Sequence, residues 1–363
     1  MTEHPDDFLE YSDWMGITIQ PCSITLDRLK SRLLEQAIQL RQIRPTRRNA
    51  MAELTKKIVI PVDGSKNALK SLDYLELIYG PGHNLHVELF YVLPSLPPLL
   101  TEETKMDKDL WIKRSDVERR NKEFAQQALE DAKTVLIKKG FEEDRVRTNL
   151  QKMQMSTARD ICNWASKENV DAVVLARRGS TDLETFFMGS ISSKLVHYCG
   201  NYPVWIVRGA IDSKKVLVCV DSSENALRAV DHVGFMLSGT DCQPTLYHSI
   251  RHLRRYVPME VLEDAEALQK LWKNKAGDQI APYMEKAREI LLDAGLPKEQ
   301  TAMKIVDGGR SVAHEILKEA RNSGYGTIVL GRHGESMAKE FIFGSVTNKI
   351  LHHCSGLAIW IVQ

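Results

Sequence analysis

Near the end of the chain, Gly331-Arg332-His333-Gly334 is followed by nine residues and then by Gly344-Ser345. Glycines that follow a buried strand let the backbone approach a ligand with no Cβ in the way. A helix opening at Gly344-Ser345 would offer unpaired N–H groups and the positive end of its dipole to an anion. The hydroxyls of Ser345 and Thr347 could add hydrogen bonds or reach a bridging cation. The pattern is that of a phosphate cradle. It stands 155 residues earlier as Ala176-Arg177-Arg178-Gly179, nine residues, and Gly189-Ser190, with alanine for the first glycine. Upstream of each cradle an apolar run ends in an acid, at Pro61-Val62-Asp63 and at Cys219-Val220-Asp221. Asp63 and Asp221 read either as ligand contacts or as caps of the helix that follows. Arg177, Arg178 and Arg332 read as surface charges or as neutralisers of a bound phosphate. His333 reads as a solvated loop residue.

The elements that must position these residues also occur twice. Lys56–Leu69 and Lys214–Leu227 align residue for residue, with Asp221 158 residues after Asp63. A period this long is a duplicated domain, because solenoid repeats run about 20–50 residues. Each copy opens on a buried-strand run, Ile58–Val62 or Val216–Val220. A helix capped at Ser65 or Ser223 follows, with apolar residues at helical spacing. The second strand is expected at Val87–Leu93 or Thr245–Ile250, the fourth at Ala172–Ala176 or Thr327–Gly331, and the last at Val204–Val207 or Ala358–Val362. Between the second strand and a long charged helix lies a proline-rich loop in copy one (Pro94, Pro97, Pro98) and a basic one in copy two (Arg251, Arg254, Arg255). Continuous apolar strands alternating with helices imply a five-stranded parallel sheet in each copy, covered on both faces. Ligands of such sheets bind at the carboxyl ends of the strands, where both cradles fall. The domains are expected at 53–208 and 213–363. Residues 1–52 have no counterpart and read as an N-terminal helical arm, with Leu26, Leu29, Leu33, Ala37 and Leu40 roughly on one face. The arm reads as packed on the surface, as a membrane or partner helix, or as a segment preceding a second start at Met51.

Composition narrows the class. A net charge of +1 over 363 residues gives no electrostatic case for nucleic acid. No apolar run reaches the roughly 18 residues of a membrane span, and the acidic first residues do not form a secretory signal. The six cysteines form no CxxC pair and read as small buried thiols in a reducing, cytoplasmic protein. No Walker A sequence and no G-x-G-x-x-G occurs. No nucleophile–base pair stands out, which favours a binding protein over an enzyme.

The doubled pattern of V-D-x-S upstream, then G-x-x-G, nine residues and G-S, resembles the universal stress proteins, in tandem and in their ATP-binding branch. The resemblance covers both copies and leaves only the arm outside. It implies Rossmann-like or flavodoxin-like domains and an ATP site in which the glycine motif holds ribose and phosphates, with Mg²⁺ or Mn²⁺ on the phosphates. In copy two it implies contacts from Asp221, Gly331, Arg332, Gly334, Gly344, Ser345, Val346 and Thr347, with Ser249 near the adenine. In copy one it implies Asp63, Val92, Gly179, Gly189, Ser190, Ile191 and Ser192, with Pro61 at the family's usual proline. Copy two departs at Cys219 and Ser249, and copy one at Ala176. Single-domain relatives pair through the last strand, so the two final strands are expected to pair within this chain and leave a monomer. The function so implied is that of an ATP-binding stress-response regulator with an unidentified protein partner. The alternatives are a slow ATPase and a nucleotide-free scaffold.

Overall fold

In a computed structural model of the chain, the residues described are 54–97, 108–176, 190–200, 202–253, 256–257, 261, 266–309, 311–334 and 344–363. The expected N-terminal arm lies outside them. The first copy runs β1 (Lys56–Pro61), α1 (Ala68–Tyr79), β2 (Leu85–Leu93), α2 (Lys108–Lys138), β3 (Val146–Lys152), α3 (Thr157–Lys167), β4 (Ala172–Ala176), α4 (Ser190–Tyr198) and β5 (Val204–Arg208). The second repeats the order as β6 (Lys215–Cys219), α5 (Glu224–Leu237), β7 (Gln243–Ile250), α6 (Glu266–Asp293), β8 (Ala302–Asp307), α7 (Val312–Asn322), β9 (Thr327–Gly331), α8 (Ser345–His353) and β10 (Leu357–Val362).

The ten strands form one sheet in the order β3-β2-β1-β4-β5-β10-β9-β6-β7-β8. Every pairing within a copy is parallel, and β5 meets β10 antiparallel. The fold is therefore the expected α/β pair, with each copy a five-stranded parallel sheet. The central strands are buried on both faces, which is why they read as unbroken apolar runs. The outermost strands, β3 and β8, carry Arg147, Asn149, Lys152 and Lys304, charges and amides that discourage further strand pairing. Helices α1, α2, α5 and α6 pack on one face through residues such as Leu72, Leu129, Val230 and Met284. Helices α3, α4, α7 and α8 cover the other through Ile161, Leu195, Ile316 and Ile350.

The join between the copies is where the sequence placed it. Trp205 of β5 and Trp360 of β10 are direct register partners, and both are fully buried. Each indole donates to the opposite copy. Trp360 Nε1 reaches the Tyr74 hydroxyl at 2.9 Å, and Trp205 Nε1 reaches His232 Nε2 at 3.1 Å. Tyr74 and His232 are repeat counterparts on α1 and α5. Burial drives the His232 pKa down to about 3, so the ring is neutral and can accept. At the margin of this join, Lys56 Nζ donates to the Ser238 carbonyl at 2.7 Å, and burial lowers its pKa to about 8.

One expectation is corrected. Cys162 and Cys199 form a disulfide, rather than two separate thiols. Helices α3 and α4 pack side by side and bring the two Cα atoms to 5.1 Å, a proximity that a separation of 37 residues does not reveal. Cys354, the counterpart of Cys199, remains a free buried thiol because Leu317 stands where the first copy has Cys162.

Candidate functional site

At the carboxyl ends of β6, β7 and β9 a cavity of about 490 Å³ opens under α6. Three stretches far apart in sequence meet in it. The loop after β6 brings Asp221, the end of β7 brings Ser249, and the glycine motif brings Gly331, Gly334, Gly344, Ser345, Val346 and Thr347. These are the copy-two residues singled out from sequence, save Arg332.

Two of the three motif glycines have a steric reason in the fold. A Cβ on Gly331 would stand 3.0–3.1 Å from the backbone of Asn225 and Ala226, where α5 begins. A Cβ on Gly334 would lie 2.5 Å from Asp221 Oδ2. On Gly344 it would meet backbone only at 3.5–3.6 Å, an ordinary contact, so the fold itself does not require a glycine there. None of the three has a positive φ, so space and not left-handed backbone explains Gly331 and Gly334. At Ala176, the first copy's counterpart of Gly331, a methyl therefore matters through crowding and not through a left-handed backbone. Consistently, α1 starts at Ala68, the counterpart of Ala226, whereas α5 starts two positions earlier at Glu224.

Hydrogen bonds hold the described ends of the motif together. Gly344 N donates to Arg332 O at 3.0 Å, Asn225 Nδ2 to His333 O at 3.3 Å, and Thr347 Oγ1 to Gly331 O at 3.1 Å. The last bond ties the two halves of the motif together. No side chain caps α8, and its first turn carries no acid, so its leading N–H groups suit an anion. Ser223 caps α5, its Oγ accepting from Ala226 N at 3.2 Å, and Asp221 braces that cap: Oδ1 accepts from Ser223 N at 3.0 Å and Ser223 Oγ at 2.5 Å, while Oδ2 faces Gly334. Asp63 makes the same turn with Ser65 N at 2.9 Å.

Arg332 behaves differently from its neighbours. Its side chain leaves the cavity and crosses to the first copy, where Nη1 donates to Gly200 O at 3.2 Å. Only its backbone belongs to the cradle. His333 lines the cavity, with its pKa lowered by burial and by Arg332. Burial also holds the Cys219 thiol protonated, so it offers no thiolate.

The sequence reading missed the opposite wall. Trp272, Ala276, Gln279 and Tyr283 descend from α6 and face the motif, joined by Tyr256. Trp272 packs edge-on against Tyr256 at 5.5 Å and donates Nε1 to Arg251 O at 2.8 Å. The signal was the spacing of Trp272 and Tyr283, eleven residues or close to three helical turns. His248 was also missed. Its Nδ1 lies 2.7 Å from Val220 O, which fixes the proton there in the neutral ring.

In copy one, Pro61 ends β1, Val92 is buried on β2, and Asp63 is exposed. Gly179 and Gly189 lie outside the described residues. Ser190, Ile191 and Ser192 form the first turn of α4. Phe124 of α2, the counterpart of Gln279, leans over Gly64, so a Cβ there would meet its ring at 2.7 Å.

Comparison with known proteins agrees with this architecture. The model of the universal stress protein family matches the chain twice, over residues 55–208 and 213–356. The chain belongs to the universal stress protein family. Among curated relatives, universal stress protein MJ0577 of Methanocaldococcus jannaschii is 29% identical over 148 residues, 38% of this chain and 88% of that protein. Universal stress protein YxiE of Bacillus subtilis is 25% identical over 145 residues, 38% of this chain and 90% of its own length. Each thus corresponds to a single universal stress protein domain. The crystal structure of a universal stress protein from Archaeoglobus fulgidus covers 84% of this chain and 97% of its own, with a TM-score of 0.52 at 18% identity, a likeness of fold. Among the described residues, no helix of this universal stress protein is long and apolar enough to cross a membrane.

Proposed function

We propose that the second domain, residues 213–363, binds ATP and that occupancy of this site regulates the association of the protein with a partner in the cytoplasm. One observation carries the reading. The glycine cradle, the uncapped start of α8, Asp221 and the end of β7 converge on one cavity of about 490 Å³. That volume lies in the ordinary range of about 300–1,000 Å³ for small-molecule sites.

In this reading the phosphates lie on the N–H groups of Ser345, Val346 and Thr347 and on the backbone of Gly331–Gly334. Asp221 faces the ribose and base end, the base rests near Ser249, and Trp272 and Tyr283 wall the cavity from above. Among the described residues no cluster of three acids, histidines or cysteines could hold a metal alone. Mg²⁺ or Mn²⁺ enters on the phosphates in this reading, with the Ser345 hydroxyl in the cavity lining available to share it. The first domain, residues 53–208, with Ala176 in its cradle and Pro94 where the second has Arg251, binds more weakly or not at all.

Mass analysis of small molecules released by denaturing the purified protein tests the reading. Release of one adenine nucleotide per chain is the expected result. Nucleotide-free protein that also shows no calorimetric response to ATP overturns it. Retention of unhydrolysed ATP over hours separates a binding regulator from a slow ATPase.

A further inference from the structure

Beside the main cavity runs a smaller cleft of about 50 Å³, bordered by Arg251, His252, Ser311, Val346 and Lys349. The two spaces share Arg251, Val312, Ser345 and Val346, so the cleft begins where the uncapped first turn of α8 ends. Lys349 lies one turn further along that helix. The first turn of α7 enters from the other side, and Ser311 makes no side-chain cap on it. In the first copy the counterpart Ser156 does cap its helix, accepting from Arg159 N.

Charge separates this place from its counterpart. Arg251 and His252 stand where the first copy has Pro94 and Ser95. The Arg251 carbonyl accepts from Trp272 Nε1, which holds its backbone at the border of the cleft. Neither Arg251 nor Lys349 is engaged in an ion pair among the described residues. One acid, Glu315, stands over Gly309 at the rim. Two cations beside the mouth of a phosphate cradle have a natural complement in further phosphate groups.

We propose that this cleft is a subsite for the terminal phosphates of the bound nucleotide, and that Arg251 and Lys349 set a preference for a triphosphate over a monophosphate. The inference rests on the nucleotide reading of the main cavity. It adds that the phosphate chain runs past Ser345 along the outer face of α8, toward Lys349, whose counterpart Lys194 the first copy keeps, and Arg251, which the first copy replaces with Pro94.

Calorimetric titration of the full chain with AMP, ADP and ATP, each with and without Mg²⁺, tests it. In the wild-type protein affinity rises from AMP to ATP. Arg251→Gln and Lys349→Gln each lower ATP affinity by about 10-fold, the scale of a lost charged hydrogen bond, and change AMP affinity by less than about 2-fold. Arg228→Gln removes one exposed positive charge on α5 and leaves the ATP-to-AMP ratio unaltered. Equal losses for AMP and ATP place the two cations at the nucleoside or in the fold, and overturn the subsite. No loss for either nucleotide sends the phosphates elsewhere, and overturns it too. If the wild-type protein binds none of the three, the nucleotide reading fails and takes the subsite with it.

Discussion

Trp205 and Trp360 stack face to face across the join of the two copies, with ring centroids 3.7 Å apart and planes within 3°. They are counterparts in the repeat and direct partners in the β5–β10 ladder, so the pseudo-twofold axis passes between them. The pair contributes about 0.5–1.5 kcal/mol beyond the area it buries. Trp360→Ala leaves a cavity and deprives Tyr74 of its donor. The expected cost is about 3–5 kcal/mol, read as a lower denaturation midpoint in urea. An unchanged midpoint would mean that the stack bears little on stability.

The join should also act as an interface when the chain is cut. Cleavage near Ile211–Lys214 exposes β5 on one half and β10 on the other, each a buried apolar edge. The halves are expected to associate on mixing, as read by light scattering, and the intact chain is expected to be monomeric. Halves that are folded yet stay apart would refute the pairing as the source of assembly.

His232 gives the join a pH dependence. Its folded pKa of about 3 lies below the ordinary value of 6.5. Between those values the unfolded chain takes up a proton that the folded one refuses, so stability falls as pH drops from 6.5 towards 3. His232→Tyr places at this position the residue that its counterpart Tyr74 already has, with a hydroxyl for Trp205 Nε1. The melting temperature of this variant should fall less between pH 7 and pH 5 than that of the wild type. Equal falls would exclude His232 as a contributor.

Much of the fold was legible because it rests on local pattern. Strands buried on both faces are continuous apolar runs, and a motif that occurs twice can be checked against itself. Asp221 and the glycines were readable for the same reason. What escaped depends on how separate helices overlie one another. Trp272 and Tyr283 sit in a helix whose charged composition hides a three-turn stripe. The Cys162–Cys199 bond follows from α3 lying beside α4. The side chain of Arg332 points to the first copy because β9 lies next to β10 and hence close to the join, which no spacing within the motif encodes.

Arg332 therefore distinguishes two roles. As a strut to Gly200 O, its loss by Arg332→Gln should cost about 1.5–3 kcal/mol of stability and leave ATP affinity within about 2-fold. A selective loss of ATP binding in a protein of unchanged melting temperature would return the guanidinium to the phosphates.

Gly344→Val addresses the cradle itself. The fold tolerates a Cβ at this place, with the nearest backbone at 3.5 Å, so the domain should stay folded while the added side chain fills the path of the phosphates. ATP titration should show the site abolished. Ala176→Gly is the converse and should strengthen the first copy if its methyl is the obstacle. Deletion of residues 1–50 should leave both results unchanged. Retained affinity in Gly344→Val would remove the assignment.

Because β5 finds β10 on its own chain, association does not depend on concentration, and dilution cannot part the two copies. A homodimer carries every substitution on both sides of its axis, so its interface must complement itself. A covalent pair is free of that constraint. Tyr74 and His232 differ as that freedom allows, yet each accepts from an indole across the join. The same freedom extends to the carboxyl ends of the strands, where the second copy has Gly331 and Arg251 and the first has Ala176 and Pro94.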